Sequence, residues 1–323
     1  MAPPSPLPAA LLAVCALLAA MALLQGARAQ QLSPAYYDES CPHVYDTVRR
    51  VIQAARTADP RILASLVRLQ FHDCFVNGCD GSLLLDDGPA INSEKNAAPN
   101  NNSARGFPVV DDIKAALESA CPGVVSCADI VALAAEVSVE LAGGPYWRVL
   151  LGRRDGTTAN FDAADNLPAP TDALNVLRQK FADVGLDDTD FVALQGTSHS
   201  PPRSPSSWRE GPTGGCCWAG GTARRPTSTP PTTSPPPRTP STSFGRSSPT
   251  SASTTPISSP SKVMLSAPDG AAASTAPIVE RFAASQADFF RSFATAMIKM
   301  GNIAPLTGSM GEVRRNCRVV NRS

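Results

Sequence analysis

Net charge is the first thing missing from this chain: 28 basic and 28 acidic residues cancel over 323 positions. Without a field of one sign nothing draws in a nucleic acid or an anionic membrane surface, and small neutral or weakly polar partners fit better. Histidine is almost as scarce, with His43, His72 and His199 the only three. No Cys-x-x-Cys pair or histidine cluster accompanies the cysteines, which argues against zinc. Strand signals are sparse, and beyond the first 29 residues no segment reads as membrane-spanning. A mostly helical chain with no membrane partner remains.

What is present begins with a leader. Residues 9–24 are apolar and uncharged, and Ala27-Arg28-Ala29 follows as a small-x-small cleavage site. A membrane anchor is the alternative, but the run is shorter than the ~20 residues a spanning helix requires. Residues 1–29 are therefore expected to be a signal peptide. Its removal takes Cys15 and leaves Cys41, Cys74, Cys79, Cys121, Cys127, Cys216, Cys217 and Cys317. An even set in an exported chain implies disulfides, although spacing alone leaves about 105 pairings open. Asn101-Asn102-Ser103 and Asn321-Arg322-Ser323 are N-glycosylation sequons, a pattern that also arises by chance.

Helical periodicity dominates the rest. Val48, Val51, Ile52 and Ala55 share one face of a helix expected over residues 44–59, closed by Asp59-Pro60 before a second helix runs toward Phe71. Further helices are expected over 109–119, 126–141, 171–184, 187–194 and about 276–300, with stops at Gly143-Gly144-Pro145, Gly185 and Gly301. Residues 30–323 are long enough for one domain or two lobes sharing a cleft. Residues 200–262 break the pattern: they hold 14 of the 31 prolines, one acid (Glu210), and only Ile257 from the set Val, Ile, Leu and Met. Such a stretch cannot bury a core. It reads as a disordered, O-glycosylated insert or, given the abrupt return of periodicity near Val263, as an out-of-frame or unspliced piece.

The chemistry concentrates in residues 68–82, RLQFHDCFVNGCDGS. Arg68 and His72 are four apart, so on a helix they share a face and can act on one small ligand. An imidazole near neutrality can take a proton and return it, and a guanidinium that stays charged can stabilise an oxygen leaving as an anion. Cleavage of a peroxide O–O bond needs both. Asp73, Asp80 and Ser82, with Gly78, Gly81 and the two cysteines, form a short oxygen-rich loop of the kind that suits calcium. Solvated loop carboxylates are the plainer reading of the two aspartates.

These motifs resemble those of the secretory plant haem peroxidases, class III. The same order of motifs continues with Ser93-Glu94-Lys95, NSARGFPVVDDIKAALESACPGVVSCADI (102–130), LAGGPYWRVLLGRRDG (141–156), NLPAP (166–170) and MGNIAPLTG (300–308). The resemblance covers about residues 31–196 and 263–321, and implies a single domain over 30–323 with a mostly α, two-lobed haem peroxidase fold. Haem b would lie between distal and proximal lobes. It further implies His72 as the distal acid and base, Arg68 as the charge stabiliser and Phe71 as an aromatic wall. Asn100 would accept the far N–H of His72, raising its basicity, while Glu94 links this network to the calcium loop. Calcium would be held by Asp73, Val76, Gly78, Asp80 and Ser82, and a phenolic donor would sit near Pro168. The implied bridges are Cys41–Cys121, Cys74–Cys79 and Cys127–Cys317.

The resemblance is interrupted between residues 197 and 262. The iron's proximal ligand falls to His199, which follows Leu194 by five residues where the family has four, and one extra residue turns a helical side chain by about 100°. Pro201 and Pro202 would also stop that helix. Cys216 and Cys217 are adjacent, so the family's fourth bridge is not assumed, and the second calcium site loses its acidic ligands. The leading expectation is a secreted, monomeric peroxidase with haem b and calcium, reducing hydrogen peroxide and oxidising phenols by one-electron steps. Its destination would be the extracellular space or cell wall, or else the vacuole, with a part in the response to oxidative stress. The alternatives are a non-catalytic secreted relative without a competent proximal site, and a calcium-binding wall protein in which Arg68 and His72 are packed polar groups.

Overall fold

A computed structural model describes residues 32–195 and 272–321. The leader, His199, Cys216, Cys217 and the whole proline-rich tract lie outside the described residues. The helices are α1 Val44–Ala58, α2 Ile62–Cys74, α3 Phe107–Ala120, α4 Cys127–Leu141, α5 Phe161–Asp165, α6 Leu174–Asp183, α7 Asp188–Gln195, α8 Ala272–Ala284 and α9 Gln286–Met300. Pairing between extended segments is limited, among the described residues, to isolated bridges such as Ser33 with Leu151 and Asp155 with Glu312.

Two helices hold the arrangement together because most of their residues are buried. In α2, Leu66 and Leu69 face one apolar cluster with α1, α3 and α4, while Val67, Phe71 and Cys74 face a second cluster with α6 to α9. Residues 127–138 of α4 are buried without a break, as expected of a helix apolar around most of its circumference. The active face is thus carried on α2, the element shared by both cores.

The expected helices are recovered with shifted ends. The helix expected over 126–141 begins one residue later because Ser126 is its cap, its hydroxyl accepting from Asp129 N at 3.1 Å. Inside the first turn, buried Asp129 accepts from Tyr37 Oη at 2.8 Å and from Arg153 Nη1 at 2.8 Å, so its charge is paired. The helix expected over about 276–300 is instead two, α8 and α9. Ser285 adopts an extended backbone and its hydroxyl accepts from Asp288 N, restarting the helix within an unbroken apolar pattern. The short α5 went unforeseen because five residues carry too little periodicity.

The three bridges implied by the resemblance, Cys41–Cys121, Cys74–Cys79 and Cys127–Cys317, are all formed. Cys127–Cys317 joins the start of α4 to the C-terminal segment across 190 residues of sequence.

One buried charge on α4 lacks good partners. Glu136 is fully buried and neither carboxyl oxygen has a hydrogen bond of acceptable geometry. Burial pushes its carboxyl up to about 7, with the nearby Tyr45 hydroxyl pulling the other way and Glu140 adding to the rise. A carboxyl raised from 4.5 to about 7 holds its proton in the fold where the unfolded chain has lost it, so its stabilising contribution is full below about pH 4.5 and disappears as pH rises through 7. Glu136→Gln, neutral at every pH, is therefore expected to match the wild type near pH 4.5 and to exceed it at about pH 8 by roughly 3 kcal/mol. Urea midpoints at the two pH values measure this; equal effects at both would contradict it.

Candidate active site

The last two turns of α2 bring Arg68, Phe71, His72, Asp73 and Cys74 to one end of the helix. Their i,i+4 spacing works as expected: Arg68 Nε donates to His72 Nε2 at 3.0 Å. The other ring nitrogen, Nδ1, lies 2.5 Å from Asn100 Oδ1. Since Nε2 accepts, Nδ1 carries the proton and Asn100 is its acceptor, which leaves Nε2 as the basic atom. Phe71 packs edge-on to the imidazole with ring centroids 5.6 Å apart, and on its other side stacks into Phe75 and Phe181.

His72 is 5% exposed. Burial first, and then the positive charge of Arg68, lower its pKa from 6.5 to about 3, while the bond to Asn100 opposes them. Burial and Arg68 outweigh the Asn100 bond. The imidazole is accordingly neutral through the physiological range. Arg68 is itself fixed by its remaining N–H groups, which reach Ser103 O at 3.1 Å, Pro99 O at 2.8 Å and Ser103 Oγ at 2.9 Å.

Asn100 has a second duty. Its Nδ2 donates to the backbone carbonyl of Glu94 at 2.8 Å, and Glu94 Oε1 in turn accepts from Asn160 N at 2.9 Å. Glu94 is fully buried, with Oε2 left without a hydrogen bond. Burial raises its carboxyl to about 7, and the charge of Asp80 nearby adds to that rise. The imidazole is thus joined through Asn100 to the backbone of Glu94, whose buried carboxyl lies within reach of the Asp80 charge.

In that loop Asp73 and Asp80 are 1% and 4% exposed. Asp73 Oδ2 accepts from Gly81 N at 3.0 Å, and Asp80 Oδ1 from Ser82 N at 2.9 Å. Burial together with the charge of Asp80 holds the Asp73 carboxyl well above the usual carboxylate range. The Ser82 hydroxyl lies close enough to Asp80 and Glu94 to lower both, without a bond of good geometry to either. Three or more Asp, Glu, His or Cys side chains do not converge on one point among the described residues. Two carboxylates with a hydroxyl and backbone carbonyls make an all-oxygen set instead. Gly78 and Gly81 sit at φ +95° and +69°, the left-handed region.

Pro168 is half-buried just beyond α5. Asp165 of that helix accepts from Ala98 N at 3.0 Å, tying the NLPAP segment to the loop that carries Asn100. His199 lies outside the described residues. Three participants escaped the sequence. Ser103, readable only as the end of a sequon, turns inward onto Arg68; Asn160 meets Glu94 through its backbone; and Arg314 reaches the carboxylate loop from the C-terminal segment.

A sequence profile described as peroxidase matches residues 48–206, ending inside the proline-rich tract. Peroxidase 54 of Arabidopsis thaliana is 45% identical over 334 aligned residues, spanning 95% of this chain and 89% of its own length. The chain belongs to the plant class III peroxidase family. Peroxidase 15 of Ipomoea batatas is 48% identical, covering 90% of this chain and 93% of that one, and peroxidase 2 of Cucumis sativus is 46% identical, covering 88% and 100%. In three dimensions the crystal structure of the TL29 protein of Arabidopsis thaliana superposes with a TM-score of 0.51 at 15% identity, over 83% of this chain and 95% of that one; this likeness concerns the fold alone. The protein is a haem peroxidase enzyme, and its relatives favour that reading over a non-catalytic one. Family membership brings haem and calcium in general terms, with hydrogen peroxide and an electron donor as reactants, and secretion as the usual destination. No helix among the described residues is long and apolar enough to cross a membrane.

The peroxidase's carboxylate loop is closed against the segment after α9: Cys79 N donates to Ile303 O at 3.0 Å, and a Cβ on Gly78 would stand 2.5 Å from Ala304 O. Gly78→Ala combines a left-handed φ with that collision and is expected to cost about 1–3 kcal/mol in urea unfolding. A cost within a few tenths of a kcal/mol, about the size of an ordinary surface change, would show that this contact is not tight.

Proposed function

We propose that this peroxidase is a secreted, monomeric haem b enzyme that reduces hydrogen peroxide with His72 and Arg68 and then oxidises phenolic donors, near Pro168, one electron at a time. The observation that carries the reading is the fixed tautomer of His72: Nδ1–H is given to Asn100 and Nε2 is the basic atom, next to the Arg68 cation. The donor set of this face suits the distal side of a haem, with one basic nitrogen, one cation and one aromatic wall. Of the three histidines, His43 is exposed at the start of α1 and His72 is engaged distally, so His199 is the candidate proximal ligand.

When bound, haem supplies the iron and porphyrin that take up the oxidising equivalents of the peroxide. The chain's own residues handle protons and charge. For His72 Nε2 to receive the peroxide proton, the Arg68 Nε–H bond must yield, which frees the guanidinium to face the outer oxygen as negative charge gathers there. Asn100 keeps the ring from turning and stabilises the imidazolium formed in this step. Because burial and Arg68 disfavour that cation, the imidazolium readily returns its proton to the departing oxygen. Phe71 excludes water from the ring's flank.

Calcium fits the loop on independent grounds. Two buried aspartates lie close together with no Lys or Arg ion pair to Asp73 among the described residues, and Asp73 is pushed up by burial first and then by the charge of Asp80. A divalent cation would offset that charge, with Asp73, Asp80 and Ser82 side chains and the carbonyls of Val76 and Gly78 as ligands, and with Glu94 behind them.

Purified full-length chain reconstituted with hemin is expected to give a Soret band and to oxidise a guaiacol-type phenol with hydrogen peroxide. His72→Ala should leave the Soret band in place and lower turnover by about 10²–10⁴-fold. Turnover surviving that change would assign the proton transfer to another group; no haem retention by the wild type would contradict the cofactor reading.

A further inference from the structure

Arg314 is fully buried, the largest such side chain among the described residues, and it lies far in sequence from every residue discussed as a ligand. Its Nη2 donates to Gly81 O at 2.5 Å, and its Nη1 to Cys317 O at 2.9 Å. Its own backbone N–H is given to Asp155 Oδ2 at 2.8 Å, while Asp155 Oδ1 accepts from Ala128 N at 2.8 Å in the first turn of α4. The next residue along, Gly156, donates its N–H to Asp80 O at 2.7 Å. The loop backbone is thereby held at two consecutive carbonyls, Asp80 by the 155–156 turn and Gly81 by the guanidinium. Gly81 has room for nothing more: a Cβ there would stand 2.7 Å from Nη2.

We propose that Arg314 is a positioning residue for the calcium site, fixing the Gly81 peptide so that Asp80 and Ser82 on either side present their oxygens to one point. This rests on the calcium reading above. A guanidinium is matched to the task because its planar fork spans two carbonyls, Gly81 and Cys317, at once. A buried cation beside a cation site would ordinarily repel the metal. Here Asp155 stands opposite, with Oδ2 at 3.8 Å from Arg314 Nε, and balances its charge, leaving Asp73 and Asp80 for calcium. The Cys127–Cys317 bridge and the paired Asp155–Glu312 backbone anchor both ends of this strap. The C-terminal segment, on the far side of the proline-rich tract, thus completes a site whose ligands all precede residue 83.

The test uses the full-length, disulfide-intact protein and Ca²⁺ itself, titrated against a chromophoric chelator, with thermal unfolding run in parallel in excess Ca²⁺ and in excess EGTA. Arg314→Lys keeps the charge and loses the fork; Arg314→Gln loses both. Both are expected to weaken Ca²⁺ binding by about 10–100-fold and to shrink the upward shift in melting temperature that Ca²⁺ produces. Where Arg314→Gln does not fold, Arg314→Lys decides. Variants that bind Ca²⁺ as tightly as the wild type, and whose melting temperatures fall equally with and without it, would overturn the proposal and make Arg314 a purely structural residue. A wild type that binds no Ca²⁺ would overturn the calcium reading itself, an outcome distinct from the first.

Discussion

A buried imidazole keeps one basic nitrogen only when the other is held to a fixed acceptor, and that constraint organises this site. Asn100 Oδ1 meets His72 Nδ1 at 2.5 Å, and its amide is pinned in turn to the Glu94 carbonyl. Were Asn100 free to flip, Nδ2 would present a donor to Nδ1 and the tautomer would reverse. The loop from Glu94 to Ser103 therefore does two things: it selects the reactive nitrogen and, through Pro99 and Ser103, it anchors Arg68.

The same loop couples the reacting groups to the carboxylate loop that follows His72. Asp73 is the next residue along α2 after His72, so the first carboxylate of the loop and the imidazole share one helical turn. Burial of α2 between two apolar clusters fixes that turn, and the Cys74–Cys79 bridge closes the loop at its base. Imidazole, guanidinium and the two buried aspartates are thus held on one helix and the loops packed against it.

How much of this was legible in the sequence differs residue by residue. Arg68 and His72 could be paired from spacing alone because helix geometry forces i,i+4 neighbours together. Asn100 could not, since its contact with His72 spans 28 residues and depends on a loop path that leaves no periodic trace; only the family resemblance pointed to it. The disulfide pairing came from the same source. Arg314 was invisible for another reason: its partners are backbone carbonyls, which any residue could offer. Ser103 could be read as the end of a sequon, a pattern that carries no trace of its contact with Arg68. The break between α8 and α9 had a written signal in Ser285 and Asp288, masked by the apolar repeat that runs through it. His199 and residues 197–262 belong to the part of the chain that lies outside the described residues.

The central claim is that Asn100 acts through His72 on the peroxide. Stopped-flow measurement of the second-order reaction with hydrogen peroxide, on haem-loaded wild type, Asn100→Val, His72→Ala and the double variant, tests it most directly. The account predicts that Asn100→Val slows the reaction by about 10–100-fold and that the same change has little further effect once His72 is alanine. Equal slowing in both backgrounds, or none in the first, would contradict it.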